Sequence, residues 1–329
     1  MRIAIVFPGQ GTQQPAMGTV WKGTPSWEAV ERVADPLGIA LQDLLIDGDA
    51  SLLSATEHAQ LAVLLNSMIA WHALATALVG PLVGAHESGA LAVSESQNLI
   101  VGFAGHSLGQ LSALIASGSM TLHDGVSFAR TRARATQDAA NISGGRMTAL
   151  IGATPQQAQE ACAPPDVAAW VANDNAPGQI VIAGTQPGLE LAVARAKQLG
   201  VKRAMPLAVN GAFHTPLMEP ALPALRRALD EIAFTPPTAS VVSNHDALPY
   251  TDTYGWRDRL VTHPTQTVQW RETLLTLRDT LGAETLIEVG HGTMIAGVAK
   301  RTIGDTPVLR CSEPDDVALL VAALQGAGA

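Results

Sequence analysis

The chain has 329 residues, a formal net charge of −9, and 15% charged against 47% hydrophobic side chains. It is long enough for a large buried core, too apolar for disorder, and too acidic for an extended nucleic-acid footprint. The two cysteines, Cys162 and Cys311, lie far apart and fit neither a disulfide scaffold nor a zinc site.

The chain opens on the apolar run Ile3-Ala4-Ile5-Val6-Phe7, a buried strand that ends in the tight polar loop Pro8-Gly9-Gln10-Gly11-Thr12-Gln13. No basic leader precedes the strand, so a cytoplasmic protein is expected rather than a secreted one. Helical segments follow as far as Val79. Their longest apolar stretch, residues 61–79, contains Asn66, Ser67 and His72, and predicts a core helix rather than a membrane span. Residues 80–97, rich in Gly, Ala and Ser, predict a surface loop.

Next comes the apolar run 99–104, which leads directly into Gly105-His106-Ser107-Leu108-Gly109, and residues 108–116 then have helical character. A strand, a G-x-S-x-G turn and a helix in that order form a nucleophile elbow. The glycines permit a sharp turn that pushes the serine hydroxyl out at the end of the sheet, and the new helix N-terminus offers an N–H to an oxyanion. The arrangement predicts acyl transfer through an acyl-serine. Thr121-Leu122-His123-Asp124 fits a capping box, and Leu122, Val126, Ala129 and Ala133 give the following helix one apolar face. Arg130, Arg132 and Arg134 lie on that helix, none clearly inside the apolar stripe, so the pattern does not separate a solvated basic face from a binding arginine.

From Gly145 the pattern changes. Residues 146–153 predict a strand, 155–162 a short helix capped by Thr154 with Pro155 at its first position, 167–173 and 179–183 two strands, 187–199 a helix, and 201–207 a strand. This β-α-β-β-α-β order is that of a ferredoxin-like unit. A helix over 217–232, a strand over 240–243, a helix over 268–281, a strand over 285–289, a Gly290-His291-Gly292 turn, a helix to Arg301 and a strand near Val308 complete the chain. The expected fold is α/β: a hydrolase-like, mainly parallel sheet domain formed by residues 1–143 and 209–329, with residues 144–208 inserted as a ferredoxin-like subdomain.

A serine nucleophile needs a base, and nine histidines are available. His106 adjoins Ser107, but neighbouring side chains diverge at a sharp turn, which gives it a positioning role. His214, in the loop Asn210-Gly211-Ala212-Phe213-His214-Thr215-Pro216 just before a helix, is the better candidate. The Leu108 N–H is an oxyanion donor by elbow geometry. The Pro8–Gly11 loop either supplies a second donor or is an ordinary turn.

Together these segments resemble the malonyl-CoA:acyl carrier protein transacylase family over nearly the whole chain and in order. The resemblance runs through Phe7-Pro8-Gly9-Gln10-Gly11, the elbow, Asn175-Ala176-Pro177-Gly178-Gln179, Phe213-His214, Val268-Gln269-Trp270 and Glu288-Val289-Gly290. It implies that Ser107 is the acylated nucleophile and His214 its base, with the Gln269 backbone carbonyl orienting the imidazole in place of a carboxylate. It implies an oxyanion hole from the Gln10 and Leu108 N–H groups, a malonyl carboxylate gripped by Arg132, and pocket roles for Gln60 and Asn175. The implied reaction is ping-pong between malonyl-CoA and the phosphopantetheine thiol of acyl carrier protein, with no metal or bound redox cofactor. The expected partners are acyl carrier protein and acyl-CoA, not nucleic acid or membrane, and a monomer is expected. Lys202, Arg203, Lys300 and Arg301 are expected to dock the acidic carrier. Three positions depart from the fatty-acid pattern: Gln110 where Glu is frequent, Leu61 where Pro is frequent, and Phe213 where Ser is frequent. They leave open fatty-acid synthesis, a trans-acting polyketide acyltransferase and the transacylase component of malonate decarboxylase. A serine esterase or thioesterase, with His291 in the triad, is the more distant alternative.

Overall fold

The computed structural model describes residues 1–79 and 99–326; the loop expected over 80–97 lies outside them. Ten strands, β1 (Ile3–Phe7), β2 (Ile100–Gly105), β3 (Arg146–Ile151), β4 (Ala169–Ala176), β5 (Gln179–Gly184), β6 (Arg203–Pro206), β7 (Ser240–Val242), β8 (Pro249–Tyr250), β9 (Thr285–Val289) and β10 (Val308–Cys311), form two sheets. The first has the order β10-β9-β1-β2-β7-β8 and is parallel except for the edge strand β8. β1 and β9 are buried along their whole lengths, as strands covered on both faces must be; β1 is accordingly apolar throughout, while β9 buries Glu288 among its apolar residues.

Helices on this larger unit are α1 (Pro25–Ala34), α2 (Leu41–Leu45), α3 (Ala50–Ser54), α4 (Thr56–Val79), α5 (Gly109–Ala116) and α6 (Leu122–Ser143). α4 is long and apolar enough to cross a membrane, but it is a core helix: 72% of its apolar window is buried inside the protein. Phe7, Trp71 and Phe103 stack edge to face between this helix and the sheet, with centroids 6.3 and 5.7 Å apart. At Thr121 only half of the expected capping box forms. The hydroxyl accepts the Asp124 N–H, and the Asp124 carboxylate instead meets His123 at 3.5 Å. An aspartate is one methylene shorter than the glutamate that normally reaches back.

The second sheet, order β4-β5-β3-β6, is wholly antiparallel. With α7 (Pro155–Cys162) and α8 (Gln186–Gln198) it has the ferredoxin-like arrangement. Thr154 and Gln157 complete a full capping box on α7, with Pro155 in its first turn. Asn173 bridges to Val268, and the Asp174 N–H donates to the Val268 carbonyl, so the small sheet is stitched to the larger unit.

The return segment differs from the sequence expectation in three places. The helix expected over 217–232 is a 3-10 turn, Pro216–Ala221, followed by α9 (Leu222–Asp230), because Pro220 and Pro223 each remove a helical donor. α10 (Trp256–Thr262) was not anticipated. The helix expected from Val268 begins at Trp270 as α11 (Trp270–Leu275) and continues as a π-turn, Thr276–Thr280, since the Val268 backbone pairs with the small sheet. α12 (Met294–Thr302) and α13 (Pro314–Gly326) close the chain.

Candidate active site

The elbow joins β2 to α5. Gly105 and Gly109 face each other so closely that a Cβ on Gly105 would overlap the Gly109 carbonyl, and a Cβ on Gly109 would meet the Phe7 carbonyl. Only glycine permits both approaches. Ser107 is therefore held at φ +51°, a left-handed conformation that costs an L-residue on the order of 1 kcal/mol. In return its hydroxyl projects from the sheet, and Ser107 Oγ lies 2.7 Å from His214 Nε2. His214 has the same backbone handedness, φ +63°.

The opposite ring nitrogen, His214 Nδ1, faces the carbonyls of His263 at 3.1 Å and Gln266 at 3.0 Å. Two acceptors fix the Nδ1–H tautomer and leave Nε2 free to take the serine proton. This corrects the expected role of Gln269. Its carbonyl accepts the Thr273 N–H and hydroxyl at the start of α11, and is not the group that orients the imidazole.

Gly9 packs against the His106 carbonyl so tightly that a Cβ there would collide with it, and the His106 N–H donates to the Phe7 carbonyl. The Pro8–Gly11 loop is thus pressed onto the elbow. From Gln10 a chain of side-chain contacts runs inward. Gln60 Nε2 reaches Gln10 Oε1 at 3.5 Å and Thr136 Oγ1 at 3.4 Å, while Arg132 Nη1 donates to Gln60 Oε1 at 2.5 Å. Arg132 is 4% exposed and, among the described residues, makes no salt bridge. Burial lowers its pKa to about 10, so it remains a cation. Arg130 and Arg134 point elsewhere, to the Leu37 carbonyl and to Glu57.

His214 is also 4% exposed. Burial first, then the Arg132 charge and His106, lower its pKa to about 3. It is a neutral base at physiological pH. His106 Nε2 bonds Asn175 Oδ1 at 2.8 Å, and its ring stands edge-on to Trp270. Burial lowers its pKa as well.

The site therefore presents a serine–imidazole pair, a loop and a helix start beside the serine, and a buried guanidinium without a carboxylate. That set suits the transfer of an acyl group carrying its own carboxylate. The model of the acyl transferase domain matches residues 4–318. This chain belongs to the acyl transferase family. Within that family it is 32% identical over 330 residues to the malonyl CoA-acyl carrier protein transacylase of Bacillus subtilis (strain 168), covering 98% of both chains. Its fold matches that of the acyl-carrier-protein S-malonyltransferase of Bartonella henselae with a TM-score of 0.87 and 34% identity, over 99% of this chain and all of the other. It matches a malonyl-transacylase solved in complex with a type II polyketide synthase acyl carrier protein with a TM-score of 0.85 and 29% identity, over 98% of this chain and 100% of that one.

In this acyl transferase the fold brings together Ser107, His214, Gln10, Leu108, Gln60 and Arg132, with Asn175 joined through His106. The sequence gives no signal for Asn244, whose side chain bonds the elbow, nor for the His263 and Gln266 carbonyls. Backbone acceptors leave no side-chain signature. Asn244 carried none either, standing after a short strand in Ser243-Asn244-His245-Asp246 that reads as a turn.

Proposed function

We propose that this acyl transferase moves a malonyl group from malonyl-CoA to the phosphopantetheine thiol of an acyl carrier protein through a malonyl-Ser107 ester. The observation that carries the reading is Arg132, a buried cation in contact with an amide rather than a carboxylate. A malonyl carboxylate would complete it with a bidentate pair, whereas an acetyl group would leave it desolvated and unpaired.

His214 Nε2 takes the Ser107 proton as Oγ attacks the thioester carbonyl. The Gln10 and Leu108 N–H groups stabilise the tetrahedral oxyanion, which collapses to the serine ester as the CoA thiolate leaves and takes the proton from the imidazolium. The carrier thiol then gives its proton to His214 and attacks the ester, and Ser107 recovers that proton as the malonyl thioester departs. The relatives' names and the carrier complex of the related transacylase support the choice of donor and acceptor.

Docking of the carrier is assigned to Lys202, Arg203, Lys300 and Arg301, all exposed. Arg203 and Gln179 flank Ile151 across the small sheet, and Arg301 donates to Gln179 Oε1 at 2.9 Å, so cations from two units gather at one hairpin end. That hairpin begins beside Asn175, which bonds His106 next to Ser107. Free thiols at Cys162 and Cys311 support a cytoplasmic location.

The test is transfer of radiolabelled malonyl from CoA to holo-acyl carrier protein, run beside a hydrolysis assay without carrier. Transfer that depends on carrier supports the reading. Rapid release of free malonate without any acceptor would replace it with a thioesterase.

A further inference from the structure

We infer that Asn244 is a positioning residue for the nucleophile, its side-chain amide holding the elbow in the strained conformation that points Ser107 at His214. The inference rests on the acyl-serine reading above. Asn244 follows β7, the strand beside β2, and is 1% exposed. The Ser107 N–H donates to Asn244 Oδ1 at 2.7 Å, and Asn244 Nδ2 donates to the Gly105 carbonyl at 2.8 Å. These two bonds straddle His106 and grip the chain on both sides of the tightest part of the turn. A planar amide offers donor and acceptor side by side, which a carbonyl and an N–H two residues apart require.

The backbone of Asn244 is fixed in its turn. Its N–H donates to Gln110 Oε1 at 2.9 Å, and its carbonyl accepts the Gln269 N–H at 2.8 Å. Gln110 stands on α5, directly after the elbow, while Gln269 follows the segment whose carbonyls at 263 and 266 orient His214. Asn244 thus links the loop that holds the base to the turn that presents the nucleophile. Removing its amide leaves the Gly105 carbonyl and the Ser107 N–H without these partners and releases a φ of +51° toward relaxed values. Both half-reactions pass through Ser107 Oγ, so rate constants fall while substrate affinity, set at Arg132, does not.

The experiment measures single-turnover acylation by malonyl-CoA, and its concentration dependence, for full-length Asn244→Ala and Asn244→Asp between pH 5 and 8. Asn244→Ala is expected to lower the acylation rate constant about 10²-fold, as a misplacement near 1 Å does, with half-saturation within about twofold of wild type. In Asn244→Asp the new carboxyl both accepts from Ser107 and donates to Gly105 only while protonated. Its rate relative to wild type is therefore expected to rise as the pH is lowered. The titratable groups facing this position are His245, His263 and Arg259, which line the same cavity of about 10 Å³, and His106 and His214 on the elbow side. Taking the ratio to wild type removes their common titration.

Rates within about threefold of wild type in both variants, a flat pH ratio for Asn244→Asp, or a loss equal to the unfolded fraction by circular dichroism would each overturn the inference. Should Asn244→Ala fail to fold, the Asn244→Asp ratio decides alone. Ser107→Ala is run in parallel: if it still transfers malonyl, the acyl-serine reading fails, whatever Asn244 does.

Discussion

Burial sets the protonation state of His214, and with it the pH behaviour of the protein. With a pKa near 3 in the folded chain, against 6.5 ordinarily, the imidazole is already a neutral base well below neutrality. The acid limb of the acylation rate, measured as kcat/KM for malonyl-CoA, is expected to break below pH 5; a break near 6.5 would contradict the assignment. Stability follows the same sign. Between those two values the unfolded chain binds a proton that the folded chain does not, so this contribution to stability is intact above 6.5 and declines as the pH falls toward 3. His263 and His106, both pushed down by burial, act in the same direction. At Arg132, replacement by alanine is expected to reduce the preference for malonyl over acetyl about 10- to 10²-fold, read as the ratio of kcat/KM values; an unchanged ratio would remove the carboxylate clamp. The sequence displayed Ser107 through its motif and His214 through its loop. It did not display which of Arg130, Arg132 and Arg134 faces inward, because helical spacing alone placed none of them in the apolar stripe. The resemblance chose Arg132, and burial supplies the physical reason.

At the scale of elements, the legible parts were those whose local signals agree with their tertiary surroundings. β1 and α7 are such cases: a continuous apolar strand and a helix with a complete capping box. Removing that cap with Thr154→Ala is expected to cost about 1 kcal/mol in urea unfolding with little change in malonyl transfer, because α7 lies on the small sheet away from the elbow. A loss of activity larger than the loss of folded protein would show that the small unit communicates with the site. The helix expected from Val268 started late for a reason no local pattern contains: the Val268 backbone is claimed by Ala172 and Asp174 of the other sheet. The carbonyls that orient His214 are those of His263 and Gln266, in the 3-10 turn and the extended link that lead to Val268. Glu288 shows a tertiary role of another kind. It is fully buried on β9 and accepts the Ile295 and Ala296 N–H groups at the start of α12, a bond pattern its Glu-Val-Gly sequence does not announce.

At the scale of the molecule, the proposed function sets a net charge of −9 against the acidic carrier expected from the sequence, and the proposed docking surface is a local concentration of cations. Reversing Lys202, Arg203, Lys300 and Arg301 to glutamate is expected to raise KM for carrier protein roughly tenfold and to steepen no salt dependence, while acylation by malonyl-CoA stays unchanged. If both half-reactions fall together, the docking assignment is wrong. The division of labour is spatial: the parallel sheet presents the nucleophile, the loop that leaves the small sheet after β6 carries the base, the small sheet brings Asn175, and the bond between Asp174 and Val268 holds the two units in register.

The proposed reaction runs through a malonyl ester on Ser107 selected by its carboxylate. Intact-protein mass spectrometry after brief mixing with malonyl-CoA, methylmalonyl-CoA or acetyl-CoA, with Ser107→Ala alongside, tests it most directly. The expected result is an adduct that forms with malonyl-CoA in preference to acetyl-CoA and is absent from the variant. An adduct that persists in Ser107→Ala, or free CoA accumulating with no adduct on the wild-type protein, would contradict it.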